Sequence, residues 1–183
     1  MRNYTSGFLY VAGGILVGAI TAYVAANNAG QEALAEGSPW KSRVAALDKA
    51  AGIYVQDYYL MAGRLPLAPG QFLEASAAED SDGNTLSASC SYDVISAGSL
   101  PQWWSVAATA SGSASSKIQT VIDENTAVRE ADGSVRIVVS AVPQPGNWLK
   151  IASGRAVILH YAAVPFGSRG GRAPPFSIRR VGC

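Results

Sequence analysis

The chain is poor in the side chains on which most catalysis depends. It has one histidine and two cysteines, and charged residues make up only 15% of it. A serine- or cysteine-based catalyst would have to use His160, because these mechanisms need a base within hydrogen-bond reach of the nucleophile. His160 stands among Ile158, Leu159 and Tyr161 in a strand-like run, so it is expected to be a hydrogen-bonded structural residue. One histidine without suitably spaced acids also leaves too few ligands for zinc. The glycine-rich stretch Gly167–Arg172 lacks the strand–loop–helix setting and the Lys-Ser/Thr pair of a phosphate-binding loop. A formal net charge of +1 gives no reason to expect nucleic acid as a partner. No metal, cofactor or catalytic set is expected.

What is present is a long apolar run near the N-terminus. Gly7 to Ala26 carries no ionised side chain and has the roughly 20 residues that a membrane-spanning helix needs. Arg2 precedes the run and Glu32 and Glu36 follow it, so the positive-inside rule places the N-terminus in the cytoplasm and the rest outside. The rival reading is a cleaved signal peptide ending at the small residues Val24-Ala25-Ala26. Either way the rest of the chain is exported, in a bacterium to the periplasm, with the inner membrane as the expected address of the anchor. Gly14, Gly18 and Ala22 repeat at i, i+4, a spacing that lets a partner helix approach closely.

The remainder divides by pattern. Residues 28–37 read as a stalk. Residues 38–66 read as a helical segment, opened by Ser38 as cap and Pro39 at the first position, bent at Gly52 and closed by Gly63. Residues 67–183 read as a β domain, with strands expected at Phe72–Ala78, Ser89–Ile95, Trp103–Ala110, Lys117–Ile122, Val135–Ser140, Arg155–Val164 and Phe176–Val181. So many short strands between Gly, Pro and Asp turns suggest a β-sandwich or jelly roll. The alternation puts Trp104, Val106 and Ala108 on the core face and turns Trp103 outward. Glu79, Asp80 and Asp82 lie beside Gly83-Asn84 and read as an exposed hairpin turn, because Asp and Asn make local turn hydrogen bonds. Asp132-Gly133 is a second turn.

Cys90 and Cys183 belong to no CxxC or Cys/His cluster. In an oxidising compartment two isolated cysteines most often pair. The alternative is two buried or free thiols. Arg169, Arg172, Arg179 and Arg180 make the C-terminal end locally basic. A solvated surface is the default for such a patch, and anionic lipid headgroups are the ligand it would fit. Trp103 adds an outward aromatic that could meet a partner or a sugar.

Four segments stand in a telling order: SCSYDVISAGSLPQWWSV (89–106), ADGSVRIVVS (131–140), PQPGNWL (143–149) and PPFSIRRVGC (174–183). With them, the chain from about Leu65 onward resembles the family called domain of unknown function 1214. It is most similar to short bacterial members with one N-terminal membrane helix, whose matching cysteines favour a Cys90–Cys183 bridge. Larger relatives have jelly-roll-like architecture and fuse this domain to a companion, domain of unknown function 1254. The resemblance therefore implies a membrane partner carrying that companion domain, and it brings no established catalytic residues. Two departures stand out: the bland stretch 107–117 replaces an aromatic-rich strand and loop, and Glu74 stands where an aromatic is common.

Two functions follow as expectations. One is a non-catalytic, membrane-anchored scaffold or binding module. The other is a carbohydrate-binding or carbohydrate-active module, which would require Asp93, Glu74 or Glu79 to converge near Trp103.

Overall fold

The alternation of the C-terminal two thirds becomes two facing β-sheets in the computed structural model, which describes residues 2–61, 63, 70–96, 100–110, 120–151, 156–164 and 176–183. The chain divides into two compact units. One comprises residues 1–31 and 44–68, and the other residues 32–43 and 69–183.

The first unit is helical. Helix α1 (Arg2–Asn28) is exposed at every position from Gly7 to Val24. Its span from Gly7 to Asn28 has a mean hydropathy of 1.9 and is long and apolar enough to cross a membrane. Gly14, Gly18 and Ala22 are exposed along it. The C-terminal part of α1 packs with α2 (Ile53–Met61), where Ala26 and Val55 are buried. Gly63, at φ 61°, donates its N–H to the Leu60 carbonyl, the expected glycine stop after the helix.

Among the described residues the expected helix over 38–66 is thus confined to α2, with residues 62 and 64–66 lying outside the described set. The Ser38 hydroxyl does accept the Trp40 N–H at 3.2 Å, but it holds a local turn and no helix follows. Trp40 is fully buried in the β unit, and Lys41–Arg43 pairs as a strand, while Leu47, which a helical stripe would bury, is exposed. Core burial of one tryptophan outweighs the weak helical periodicity around it. The expected stalk is likewise partly structured, since Gln31–Ala33 is a strand and Leu34 is buried in the core.

The ten strands among the described residues are β1 (Gln31–Ala33), β2 (Lys41–Arg43), β3 (Leu73–Ala77), β4 (Ser91–Ser96), β5 (Trp103–Ala110), β6 (Val121–Asp123), β7 (Arg136–Ser140), β8 (Asn147–Lys150), β9 (Val157–Val164) and β10 (Phe176–Gly182). One sheet runs β1-β2-β3-β9-β5-β6 and the other β10-β4-β7-β8. The fold is mainly β, as expected. Strand β8 was not anticipated and joins β7 in parallel. The expected strand at Lys117–Ile122 is represented by β6, and its first residues lie outside the described set.

Between the sheets lies one apolar core. The larger sheet contributes Ala75, Trp104, Val106, Leu159 and Tyr161, and the smaller Tyr92, Val94, Ile137, Val139 and Ile178. Phe176 joins them, with its ring 5.6 Å from Trp104 and 5.9 Å from Tyr161. Tyr161 meets Trp40 at 6.1 Å. Burial pushes the Tyr161 hydroxyl well above the usual tyrosine pKa, so it stays neutral.

Strand β10 closes the smaller sheet and is fastened from several sides. Its ladder to β4 pairs Phe176 with Ser96, Ile178 with Val94 and Arg180 with Tyr92. Beyond the ladder, the Ser81 N–H donates to the Ile178 carbonyl, and the Ile178 N–H donates to the Ser81 hydroxyl. The Trp40 indole N–H donates to the Phe176 carbonyl at 2.6 Å. The sulfurs of Cys90 and Cys183 lie at disulfide distance, with the two Cα atoms 3.9 Å apart.

Candidate functional site

Three places in the β unit hold the polar and aromatic residues singled out by the sequence. The first is the outer face of the larger sheet around Trp103. Alternation along β5 leaves Trp103 40% exposed while Trp104 is fully buried. The Trp103 ring leans on Phe72 at 6.1 Å, and the strand register sets Trp103 beside the exposed Val164. Trp104 is held in place by its indole N–H, which donates to the Glu124 carboxylate, and Glu124 is in turn paired with Arg129 at 2.9 Å. Glu74 lies on this sheet opposite Ala162. His160 is nearby in register, and its Nε2 pairs with the Thr109 hydroxyl at 2.8 Å, as a structural histidine would.

The second place is the 80–84 hairpin. Its turn is as expected, with Gly83 at φ 82° and Glu79 bridging Thr85. Asp80, however, is not exposed. Only 1% of it reaches solvent, because β10 folds over the hairpin. Its carboxylate accepts the Asp82 N–H at 3.1 Å and the Asn84 N–H at 2.8 Å, and pairs with the Arg180 guanidinium at 3.1 Å. Arg180 also donates to the Thr85 carbonyl and stacks over Tyr92. The position a loop cation would take beside Asp80 therefore belongs to an arginine. No local pattern marks this pairing, since the partners are far apart in the chain.

Burial alone would raise the Asp80 pKa, but hydrogen bonds from Asn84 and Asp82 and the charge of Arg180 outweigh it and hold the carboxyl below the ordinary value. A depressed folded-state pKa contributes stability that is complete above the unfolded value, about 4. That stability is lost as pH falls through the folded value. Asp80→Asn is therefore expected to destabilise the domain at neutral pH and to flatten the acid limb of its stability curve below about pH 4. Urea unfolding followed by tryptophan fluorescence across pH checks both. An unchanged acid limb would show that Asp80 titrates alike in folded and unfolded chains.

The third place is the outer face of the smaller sheet. Asp93 sits on β4 between Arg179 of β10 and Val138 of β7 in the strand registers. Trp148 of β8 lies next in line, paired with Val138. The Arg136 guanidinium binds one Asp93 carboxylate oxygen, Oδ2, at 2.7 Å. Beside them the Ser91 hydroxyl donates to the Ser140 hydroxyl at 3.2 Å.

The acids needed for a catalytic pair do not come together. Asp93 is on the smaller sheet, Glu74 is on the larger, and Glu79 is in the hairpin. Among the described residues no three His, Cys, Asp or Glu side chains gather in a way that could hold a metal ion. Arg180 is committed to Asp80, while Arg179 is exposed on the outer face. Arg169 and Arg172, the other half of the expected basic patch, lie outside the described residues.

The model of the family described as "Protein of unknown function (DUF1214)" matches residues 71–163, half of the chain, and the chain belongs to that family. Among curated proteins none matches the sequence. Solved structures similar to the chain include the following two. The VPA0106 protein from Vibrio parahaemolyticus aligns at 17% identity and TM-score 0.57, over 72% of this chain and 36% of that one. An uncharacterized protein from Burkholderia cenocepacia aligns at 24% identity and TM-score 0.45, over 61% of this chain and 29% of that one. The chain thus corresponds to about a third of the length of the structures it matches, and the likeness to the Vibrio protein concerns the fold.

Proposed function

We propose that this member of the DUF1214 family is a single-pass membrane protein whose β domain is exported and works as a non-catalytic scaffold or binding module. The observation that carries this reading is α1. From Phe8 through Val24 it carries no ionised side chain and its large hydrophobic side chains are uncovered, and so large an apolar surface is not left in water. Arg2 on one side and Glu32 and Glu36 on the other favour a cytoplasmic N-terminus. A cysteine pair at disulfide distance suits an oxidising compartment, in a bacterium the periplasm beside the inner membrane. The separation of Asp93, Glu74 and Glu79 favours binding over hydrolysis, since acid/base pairs must share one site.

The partner proposed is a separately encoded membrane protein bearing the companion domain to which larger relatives fuse this one. Purification of the tagged full chain in mild detergent is expected to bring down such a protein. Protease added to spheroplasts should digest the β domain while the cytoplasmic N-terminus stays protected. Recovery of a lone monomer would remove the partner. A mature chain beginning after Ala26 would replace the anchor by a cleaved signal peptide.

A further inference from the structure

Large apolar side chains left in the open beyond α1 are unevenly spread. Among the described residues, every exposed leucine, isoleucine or methionine outside α1 falls within residues 47–61 of the helical unit. The exposed large apolar side chains of the β unit are valines and Trp103. Helix α2 carries most of the first group: Ile53, Tyr54, Leu60 and Met61, four of its nine residues, are between 48% and 78% exposed. A helix on the surface of a water-soluble domain turns a polar face outward. In α2 only Gln56 and Asp57 are strongly polar, and the side opposite the buried Val55 is formed by Ile53, Leu60 and Met61 around Asp57.

The place of α2 along α1 says what covers this face. Helix α1 is exposed at every position from Gly7 to Val24 and first becomes buried at Ala26, where α2 packs. Helix α2 therefore crosses the end of α1 and does not run beside the span. At 1.5 Å per residue, a helix that enters a bilayer at Gly7 has risen about 28 Å by Ala26, close to the roughly 30 Å of the hydrocarbon layer. The crossing thus falls where hydrocarbon gives way to headgroups. Tyrosines mark the same level: Tyr23 is exposed just before the crossing, and α2 adds Tyr54, Tyr58 and Tyr59. Tyrosine collects at membrane boundaries because its ring is apolar and its hydroxyl prefers water. Gln56 and Asp57 set the depth, since a carboxylate is costly in hydrocarbon and not among headgroups.

We propose that α2 is a second membrane contact, a helix lying in the headgroup layer of the leaflet in which α1 ends. Ile53, Leu60 and Met61 reach the upper acyl chains, and the tyrosine hydroxyls stay among the headgroups. The occupant of the face is lipid itself, because the face begins where the apolar surface of α1 ends and lies at the same boundary. The inference rests on the reading of α1 as a membrane anchor and adds what the chain does where it leaves the bilayer. Interfacial anchors beside a span also restrict its tilt, so α2 steadies α1 as well as adding membrane surface.

The test is fluorescence quenching on the full chain, reconstituted alone in vesicles of phosphatidylethanolamine and phosphatidylglycerol. A label is placed on Leu60→Cys, Val17→Cys or Val128→Cys, all at exposed positions, with Cys90 and Cys183 kept oxidised. One quencher is a spin label high on a lipid acyl chain and the other is iodide in the water. The Leu60→Cys label is expected to lose about threefold more emission to the lipid quencher than the Val128→Cys label, and to be shielded from iodide. Ile53→Cys, on the same face, should repeat the result, and unaltered melting of either variant shows that the fold is kept. A Leu60→Cys label as open to iodide as that on Val128→Cys would overturn the proposal. Shielding from both quenchers would overturn it too, because a second copy of the chain would then cover the face. The Val17→Cys label reports on the anchor by itself. If it meets the lipid quencher while Leu60→Cys does not, the anchor stands and only the second contact is lost; if neither does, the anchor reading itself fails.

Discussion

Replacing Cys183 with serine is expected to destabilise the β domain by about 4–5 kcal/mol. The two cysteines are 93 residues apart in sequence. A bridge across so long a loop removes much of the entropy of the unfolded chain, while the folded side keeps the β10 ladder, the Ser81 bonds and the Trp40 bond. The effect should therefore appear chiefly as a lower midpoint of urea unfolding. Wild-type protein in reductant should fall to the midpoint of the Cys183→Ser variant, and reductant should not move the variant further. A wild-type midpoint indifferent to reductant would mean that the thiols are not bonded in the exported protein.

The second large effect separates two adjacent tryptophans. Trp104→Ala should cost about 3–5 kcal/mol, the range for emptying a large aromatic site in a packed core. The residue is fully buried against Phe176 and anchors Glu124. Trp103→Ala should cost less than about 1 kcal/mol, because 40% of that residue already faces solvent. Parallel denaturation of the two variants measures the difference. Equal losses would mean that the register of β5 is wrong by one residue, since a slip of one exchanges the faces.

That pair also shows what the sequence made legible. Alternation in β5 was strong enough to place Trp104, Val106 and Ala108 inward and Trp103 outward, and the first three are buried while Trp103 is not. Turn chemistry located the hairpins at Gly83 and Gly133, both with positive φ. Short strands carry too few residues for a period to register, which is why β1, β2 and β8 went unread. Trp40 was hidden by a plausible helix cap, because its partners at Tyr161 and Phe176 lie more than a hundred residues further along. Asp80–Arg180 and Asp93–Arg136 are pairings of the same long-range kind. Each acid has the composition of a surface residue and only the fold places it under cover.

The fastening of β10 has a consequence for how many copies can live side by side. An unpaired strand edge is a template that a second molecule can extend, and sheets grow into aggregates along such edges. Here the outward N–H and C=O of Ile178 are taken by Ser81, and the Phe176 carbonyl by the Trp40 indole. Along that stretch an incoming strand would first have to displace the Ser81 bonds and the bond from a buried tryptophan. Crowding at high local density, where identical domains meet repeatedly, therefore meets a margin whose central bonds are already taken.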